Sequence, residues 1–155
     1  MSTYTQIYYH IVFSTKNREP VLMSGARETL FRYIWSVVSR NNGRLYRING
    51  TTDHLHVLTN LHPTVSLSVF VKEIKATSSY WIHKTNLFPE FSNWQPGYGA
   101  FTHSIRDLDR LVEYIKRQEE HHRVLSFAEE FDALLVESGL DPAAQGIRDG
   151  VEKPD

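Results

Sequence analysis

Two histidines stand two residues apart in Asp53-His54-Leu55-His56-Val57-Leu58. On an extended strand residues i and i+2 point to the same face, so both imidazoles project together while Leu55 and Val57 face the other way. Two neutral imidazoles on one rigid strand can form half of a divalent-metal site. A pair of ordinary core or surface histidines satisfies the same pattern. A second candidate lies in Tyr114-Ile115-Lys116-Arg117-Gln118. At about 100° per residue on a helix, Tyr114 and Gln118 are about 40° apart, one turn from each other. Leu108, Leu111, Val112 and Ile115 then form the core stripe, with Tyr114 and Gln118 at its edge, held by packing yet able to reach a cleft. A phenol ionises near pH 10, so such a tyrosine serves as a nucleophile at neutral pH only with help. Alone, a tyrosine at a stripe edge is usually packing, with its hydroxyl in water.

These residues need elements to position them. Residues 6–15 alternate, with Ile7, Tyr9, Ile11 and Phe13 on one face and Tyr8, His10 and Val12 on the other, which predicts a strand covered on both faces. The polar run Lys16-Asn17-Arg18-Glu19-Pro20 ends it. Leu30, Ile34, Val37 and Val38, with Phe31 and Trp35 beside them, predict a helix over 25–40, stopped by Asn41-Asn42-Gly43. Two strands over 44–49 and 53–61 flank Gly50-Thr51-Thr52 as a hairpin. A helix over 66–84, a strand over 97–104 and a helix over 107–122 follow. A last helix starts at Ser126, where Ser126 and Glu129 have capping-box spacing, and stops near Gly139. The order β-α-β-β-α-β-α-α places the chain in the α+β class. Its first six elements are a ferredoxin-like split β-α-β unit: an antiparallel sheet with helices on one face, plus a C-terminal helical extension carrying the tyrosine. One domain over 1–140 and a loose acidic tail over 141–155 are expected.

The 155 residues suffice for one core, and the absence of cysteine excludes disulfides and thiolate metal sites. No stretch approaches the roughly 20 apolar residues of a membrane span. The first thirteen residues lack the features of a secretory signal, so a soluble, cytoplasmic protein is expected. The net charge of −1 conceals an asymmetry: residues 126–155 hold 2 basic and 8 acidic residues, leaving 15 basic and 10 acidic in residues 1–125. All eight histidines lie in that first part. A cationic body with an acidic tail permits phosphate binding without requiring it.

Taken together, a His-hydrophobic-His strand followed some 60 residues later by Tyr-x-x-x-Gln resembles the single-tyrosine HUH transposases of small bacterial insertion sequences (the TnpA type), whose relatives include the REP-associated tyrosine transposases. The resemblance also rests on Tyr9-His10-Ile11-Val12-Phe13-Ser14-Thr15-Lys16, on Tyr98-Gly99-Ala100-Phe101, on Glu119-Glu120-His121-His122 and on the Ser126-Phe127 to Phe131 helix start, spanning residues 4–140. It implies that His54 and His56 are the metal-binding pair, that Tyr114 is the nucleophile and that Gln118 is the third ligand. Asp53 fits the position before the pair, where it could orient a neighbour or begin a strand.

What the resemblance implies chemically is cleavage and rejoining of single-stranded DNA at hairpin-bearing element ends. The intermediate would be a 5′-phosphotyrosine, and three neutral ligands would suit Mg²⁺ or Mn²⁺ with positions left open for a phosphate. It implies a homodimer whose active sites are shared between subunits. Candidate phosphate contacts are Lys16, Arg18, Lys72, Lys75, Arg106, Arg110, Lys116 and Arg117. Tyr98 and Phe101 could stack on bases or belong to the core. His121 is available by helical projection to take the phenolic proton, though a surface or phosphate-contacting role fits it better. Three rivals stand beside this reading. They are a domesticated relative acting on repeated extragenic hairpins, a catalytically decayed hairpin-binding protein, and an interaction module with a structural metal.

Overall fold

The computed structural model describes residues 2–121 and 126–142. Four strands form one antiparallel sheet: β1 (Tyr8–Ser14), β2 (Leu45–Gly50), β3 (His54–Thr59) and β4 (Gly99–His103), in the spatial order β2-β3-β1-β4. With α1 (Ser24–Arg40) after β1 and α2 (Leu67–Thr85) after β3, this is the expected ferredoxin-like arrangement. Three helices complete the described chain: α3 (Leu108–Lys116), α4 (Gln118–His121) and α5 (Phe127–Glu137). Residues 143–155, where most of the expected acidic tail falls, lie outside the described part.

The alternation along β1 divides the protein into two halves. Ile11 and Phe13 join Leu55 and Val57 of β3 and the buried sides of α1 and α2, including Leu30, Ile34, Phe70 and Ile74, in the main core. The opposite face of the same two strands carries Tyr8, His10 and Val12 beside His54, His56 and Leu58. There Leu111 and Ile115 of α3 pack on Tyr8 and Leu58, and Phe127, Phe131 and Leu135 of α5 pack on Val12 and Phe101. The helical extension therefore closes over the histidine face, and β1 and β3 are covered on both sides, so that the histidines are buried with the apolar residues.

Trp35 is a small departure from the periodicity: it sits on the solvent side of α1, 51% exposed. The stretch expected to be one helix over 107–122 is two. α3 ends at Arg117, whose backbone (φ −95, ψ 21) leaves the helical region, and α4 begins at Gln118. The reason is a competing donor. The Asn49 amide from β2 donates to the carbonyls of Ile115 (3.0 Å) and Lys116 (3.1 Å), satisfying oxygens that would otherwise accept from the next helical turn.

Two glycines are required by close approach. A side chain at Gly99 would enter the Phe131 ring, so the bare backbone of β4 lets α5 seat. At Gly50, just before the histidine strand, a Cβ would collide with the His54 carbonyl oxygen and the Leu55 side chain. Since that obstacle is backbone, Gly50→Ala is expected to destabilise by about 1–3 kcal/mol, as overpacking does. At roughly 2–4 °C per kcal/mol for a chain of this size, a thermal melt will show it; an unchanged melting temperature would contradict the packing described.

Candidate active site

β3 presents His54 and His56 side by side, both completely buried. Each ring is tied at Nδ1. For His54 the partner is the neighbouring Asp53: His54 Nδ1–H donates to Asp53 Oδ1 at 2.7 Å, and the Thr51 hydroxyl, 3.1 Å from the same carboxylate oxygen, lies 3.0 Å from His54 Nδ1. For His56 the partner is His10 of β1, with Nε2 lying 2.7 Å from His56 Nδ1 and the two rings stacked with centroids 5.0 Å apart. Both Nε2 atoms are thereby turned toward the space under α5.

That space holds a carboxylate. Glu130 of α5, 3% exposed, places Oε1 2.9 Å from His56 Nε2 and Oε2 3.8 Å from His54 Nε2. The ligand atoms of His54, His56 and Glu130 lie within 4.8 Å of one another. The Tyr114 hydroxyl donates to the same Glu130 Oε1 at 2.6 Å. Gln118 is completely buried, and among the described residues neither its amide nitrogen nor its oxygen finds a hydrogen-bond partner. Two imidazoles, a carboxylate and an amide with unused capacity are a donor set that fits a hard or borderline divalent cation.

Burial above all pushes the Tyr114 hydroxyl far above the ordinary phenol range, and the hydrogen bond to Glu130 and its negative charge push the same way. The nearby Gln118 amide works against them, favouring the phenolate. Tyr114 is therefore a neutral donor in this arrangement. His10 is held well below the usual imidazole value by burial first, then by His56 and His103, with Glu130 opposing, and is neutral at pH 7. Burial also lowers His103, against the pull of Asp107 and Glu137.

Beside Tyr114 a cavity of about 620 Å³ opens between α3, α5 and β4, lined among others by His10, Phe101, His103, Arg110 and Glu137. On the other flank Arg18 stands 5.5 Å over the Phe127 ring, which stacks on His54 at 4.2 Å. Arg18 is thus the basic candidate set against the histidine pair, and Lys16 is exposed on the same turn. Arg110 pairs with Asp107 at 3.0 Å and Arg117 approaches Glu113 at 3.9 Å. Lys72, Arg106 and Lys116 are exposed. Lys75 is engaged structurally, donating to the carbonyls of Gln95 (2.9 Å) and Gly97 and so tying α2 to the loop before β4. Phe101 is core, while Tyr98 packs against the main core under Lys75. The side chain of His121 lies outside the described part.

The site thus brings His54, His56 and Tyr114 together around Glu130 within one chain, with Gln118 beside Tyr114, and adds two residues that spacing alone did not single out. Glu130 had a readable signal. It falls three residues after Phe127 and next to Phe131 on the buried stripe of α5, where an unpaired carboxylate would be costly. His10 had only its place between Tyr8 and Val12 on a covered strand face.

Comparison with known proteins agrees with this picture. Over 121 residues the chain is 26% identical to the transposase for insertion sequence element IS200 of Salmonella typhimurium, covering 75% of this chain and 79% of that protein. It is 23% identical over 120 residues to the ISDra2 transposase TnpA of Deinococcus radiodurans, covering 73% and 84%. Among solved structures, a Deinococcus radiodurans R1 protein described as a transposase superposes with a TM-score of 0.60 at 23% identity, over 76% of this chain and 95% of that one. A REP-associated tyrosine transposase bound to a REP hairpin superposes with a TM-score of 0.58 at 19% identity, over 79% and 74%. At those identities the structures speak for the fold. The family model described as "Transposase IS200 like" matches residues 3–118, three quarters of the sequence and every strand of the sheet, and the chain belongs to that family of IS200-like transposases.

Proposed function

We propose that this transposase cleaves and rejoins single-stranded DNA through a covalent link to Tyr114. The observation that carries the proposal is the shared carboxylate: Tyr114 and His56 meet on the same oxygen of Glu130, so the Tyr114 phenol lies beside the candidate metal ligands. His54, His56 and Glu130 would hold a Mg²⁺ or Mn²⁺ ion, with Gln118 as a further ligand through its amide oxygen. When bound, the ion supplies charge neutralisation and polarisation at the scissile phosphate.

The Tyr114 oxygen forms a bond to phosphorus and the P–O3′ bond breaks. The phenolic proton leaves, the departing oxygen becomes a 3′-OH, and the 5′ end remains on the protein as a phosphotyrosine. A second 3′-OH can then attack that linkage, releasing the phenol and rejoining DNA with no nucleotide cofactor. Glu130, hydrogen-bonded to the phenol, is placed to receive its proton. The likeness to a REP-associated tyrosine transposase bound to a REP hairpin supports hairpin-bearing DNA as partner, and Arg18 over Phe127 is the basic group best set to meet a phosphate near the histidines. The resemblance implies a homodimer with shared sites, and within one chain the Tyr114 hydroxyl already reaches Glu130 beside the histidine pair.

The test is a denaturing gel of the protein incubated with labelled single-stranded hairpin DNA from the flanks of its gene, with Mn²⁺ or with EDTA. The expected result is a slow-migrating protein–DNA adduct with Mn²⁺ and none with EDTA. A shifted complex on a native gel with no adduct under either condition would replace this reading by hairpin binding alone.

A further inference from the structure

The two histidines of β3 are oriented by different devices, and one of them rests on a residue with no role so far. His54 is fixed by Asp53, an acceptor only, which places the proton of His54 on Nδ1 and leaves the Nε2 lone pair for a ligand bond. His56 is held differently at Nδ1. Its partner there is a second imidazole, His10, completely buried and in hydrogen-bond contact at 2.7 Å. A hydrogen bond between two imidazoles has one donor and one acceptor. For the Nε2 of His56, the atom facing Glu130 and His54, to offer a lone pair, His56 must carry its proton on Nδ1 and donate it. His10 must then accept through Nε2 and keep its own proton on Nδ1. Among the described residues His10 Nδ1 has no hydrogen-bond partner, so His10 spends its one buried hydrogen bond on His56. The strand register enforces the contact, because β1 pairs with β3 so that Val12 lies opposite His56 and His10 opposite Leu58, two places along the same face.

We propose that His10 is a positioning residue of the transposase metal site, accepting the Nδ1 proton of His56 and so holding that ring in the orientation and tautomer that bind a divalent cation through Nε2. The proposal rests on the assignment of His54 and His56 as ligands. It makes β1, and not only the His-hydrophobic-His strand, part of the metal centre. It also predicts which substitutions at position 10 are tolerated. Glutamine, whose side-chain oxygen reaches nearly as far as the histidine Nε2, can accept the same proton; leucine fills the space and cannot.

The experiment is a titration of Mn²⁺ into the folded, metal-free protein, followed by calorimetry, for wild type, His10→Gln, His10→Leu and His56→Ala, with thermal melts of each. The expected result is affinity near wild type for His10→Gln and a loss of about 10- to 100-fold for His10→Leu, the usual effect of removing a partner that orients a ligand. Wild-type affinity in His10→Leu, or equal weakening in Gln and Leu variants, would overturn the positioning role. Wild-type affinity in His56→Ala would instead overturn the ligand assignment beneath it. Should His10→Leu not fold, the ¹⁵N shifts of His56 in the wild-type protein loaded with diamagnetic Zn²⁺ decide: a proton on Nδ1 and metal on Nε2 support the proposal, the reverse overturns it.

Discussion

Tyr114→Phe is expected to abolish the covalent protein–DNA adduct while leaving hairpin binding and the fold intact. The substitution deletes one oxygen. The ring stays half-buried, with its edge-on neighbours His56 at 6.0 Å and His10 at 6.3 Å, so the packing of α3 on the sheet is kept. What is lost is the hydrogen bond to Glu130, a net cost of about 1 kcal/mol for a partly buried pair. The chemical consequence is far larger, because the oxygen deleted is the proposed nucleophile itself, the hydroxyl held at Glu130. Adduct formation should fall by at least about a thousandfold, the scale seen when a nucleophile is deleted. Hairpin affinity should stay within roughly threefold, since no positive charge toward the DNA backbone is removed. Quantified adduct bands and a binding titration on the same preparation check both halves. Adduct formation at wild-type rate would remove Tyr114 from the chemistry.

The second large effect is expected at His56. His56→Ala deletes a completely buried imidazole that touches both other parts of the site, His10 through Nδ1 and Glu130 through Nε2. It leaves two buried polar partners short of one contact each, so a stability loss of about 1–3 kcal/mol is expected alongside the catalytic one. Mn²⁺-dependent cleavage should drop by at least about a hundredfold, in keeping with the loss of a group that holds the charge-stabilising ion. Adding more Mn²⁺ should restore only part of it. The check is initial cleavage rate against Mn²⁺ concentration at a temperature where a melt shows the variant folded. A rate and metal dependence equal to wild type would rule out His56 as a ligand.

Much of this site was legible in the chain because its signals are local. The alternation of Ile11 and Phe13 against His10 and Val12 gives a strand covered on both faces, and the i, i+2 spacing of His54 and His56 fixes a shared direction whatever the surroundings. The capping box at Ser126 is equally local: the Glu129 amide donates to the Ser126 hydroxyl at 3.3 Å where the spacing placed it. What local pattern could not supply were contacts between distant elements. The break at Arg117 depends on Asn49, far back in β2, taking the carbonyls at the end of α3. Helical projection put Tyr114 and Gln118 on one face of a single helix. The structure brings them together by ending one helix and starting another.

Glu130 and His10 were hidden for related reasons. A glutamate beside Glu129 in an acidic segment reads as solvated until Phe127, Phe131 and Leu135 are seen to bury the same stripe. A lone histidine on a covered strand face reads as core until the partner strand places His56 against it. Lys75 shows the converse: a cation counted toward phosphate binding is occupied with the carbonyls of Gln95 and Gly97.

The most direct test of the central claim is to find the atom that carries the DNA. Wild-type protein would be incubated with hairpin-bearing single-stranded DNA and Mn²⁺, digested with nuclease and trypsin, and analysed by mass spectrometry. The account predicts a nucleotide-modified peptide Leu111–Lys116, with the added mass on Tyr114. Modification of a different residue, or cut DNA bearing a free 5′-phosphate with no modified peptide, would contradict it.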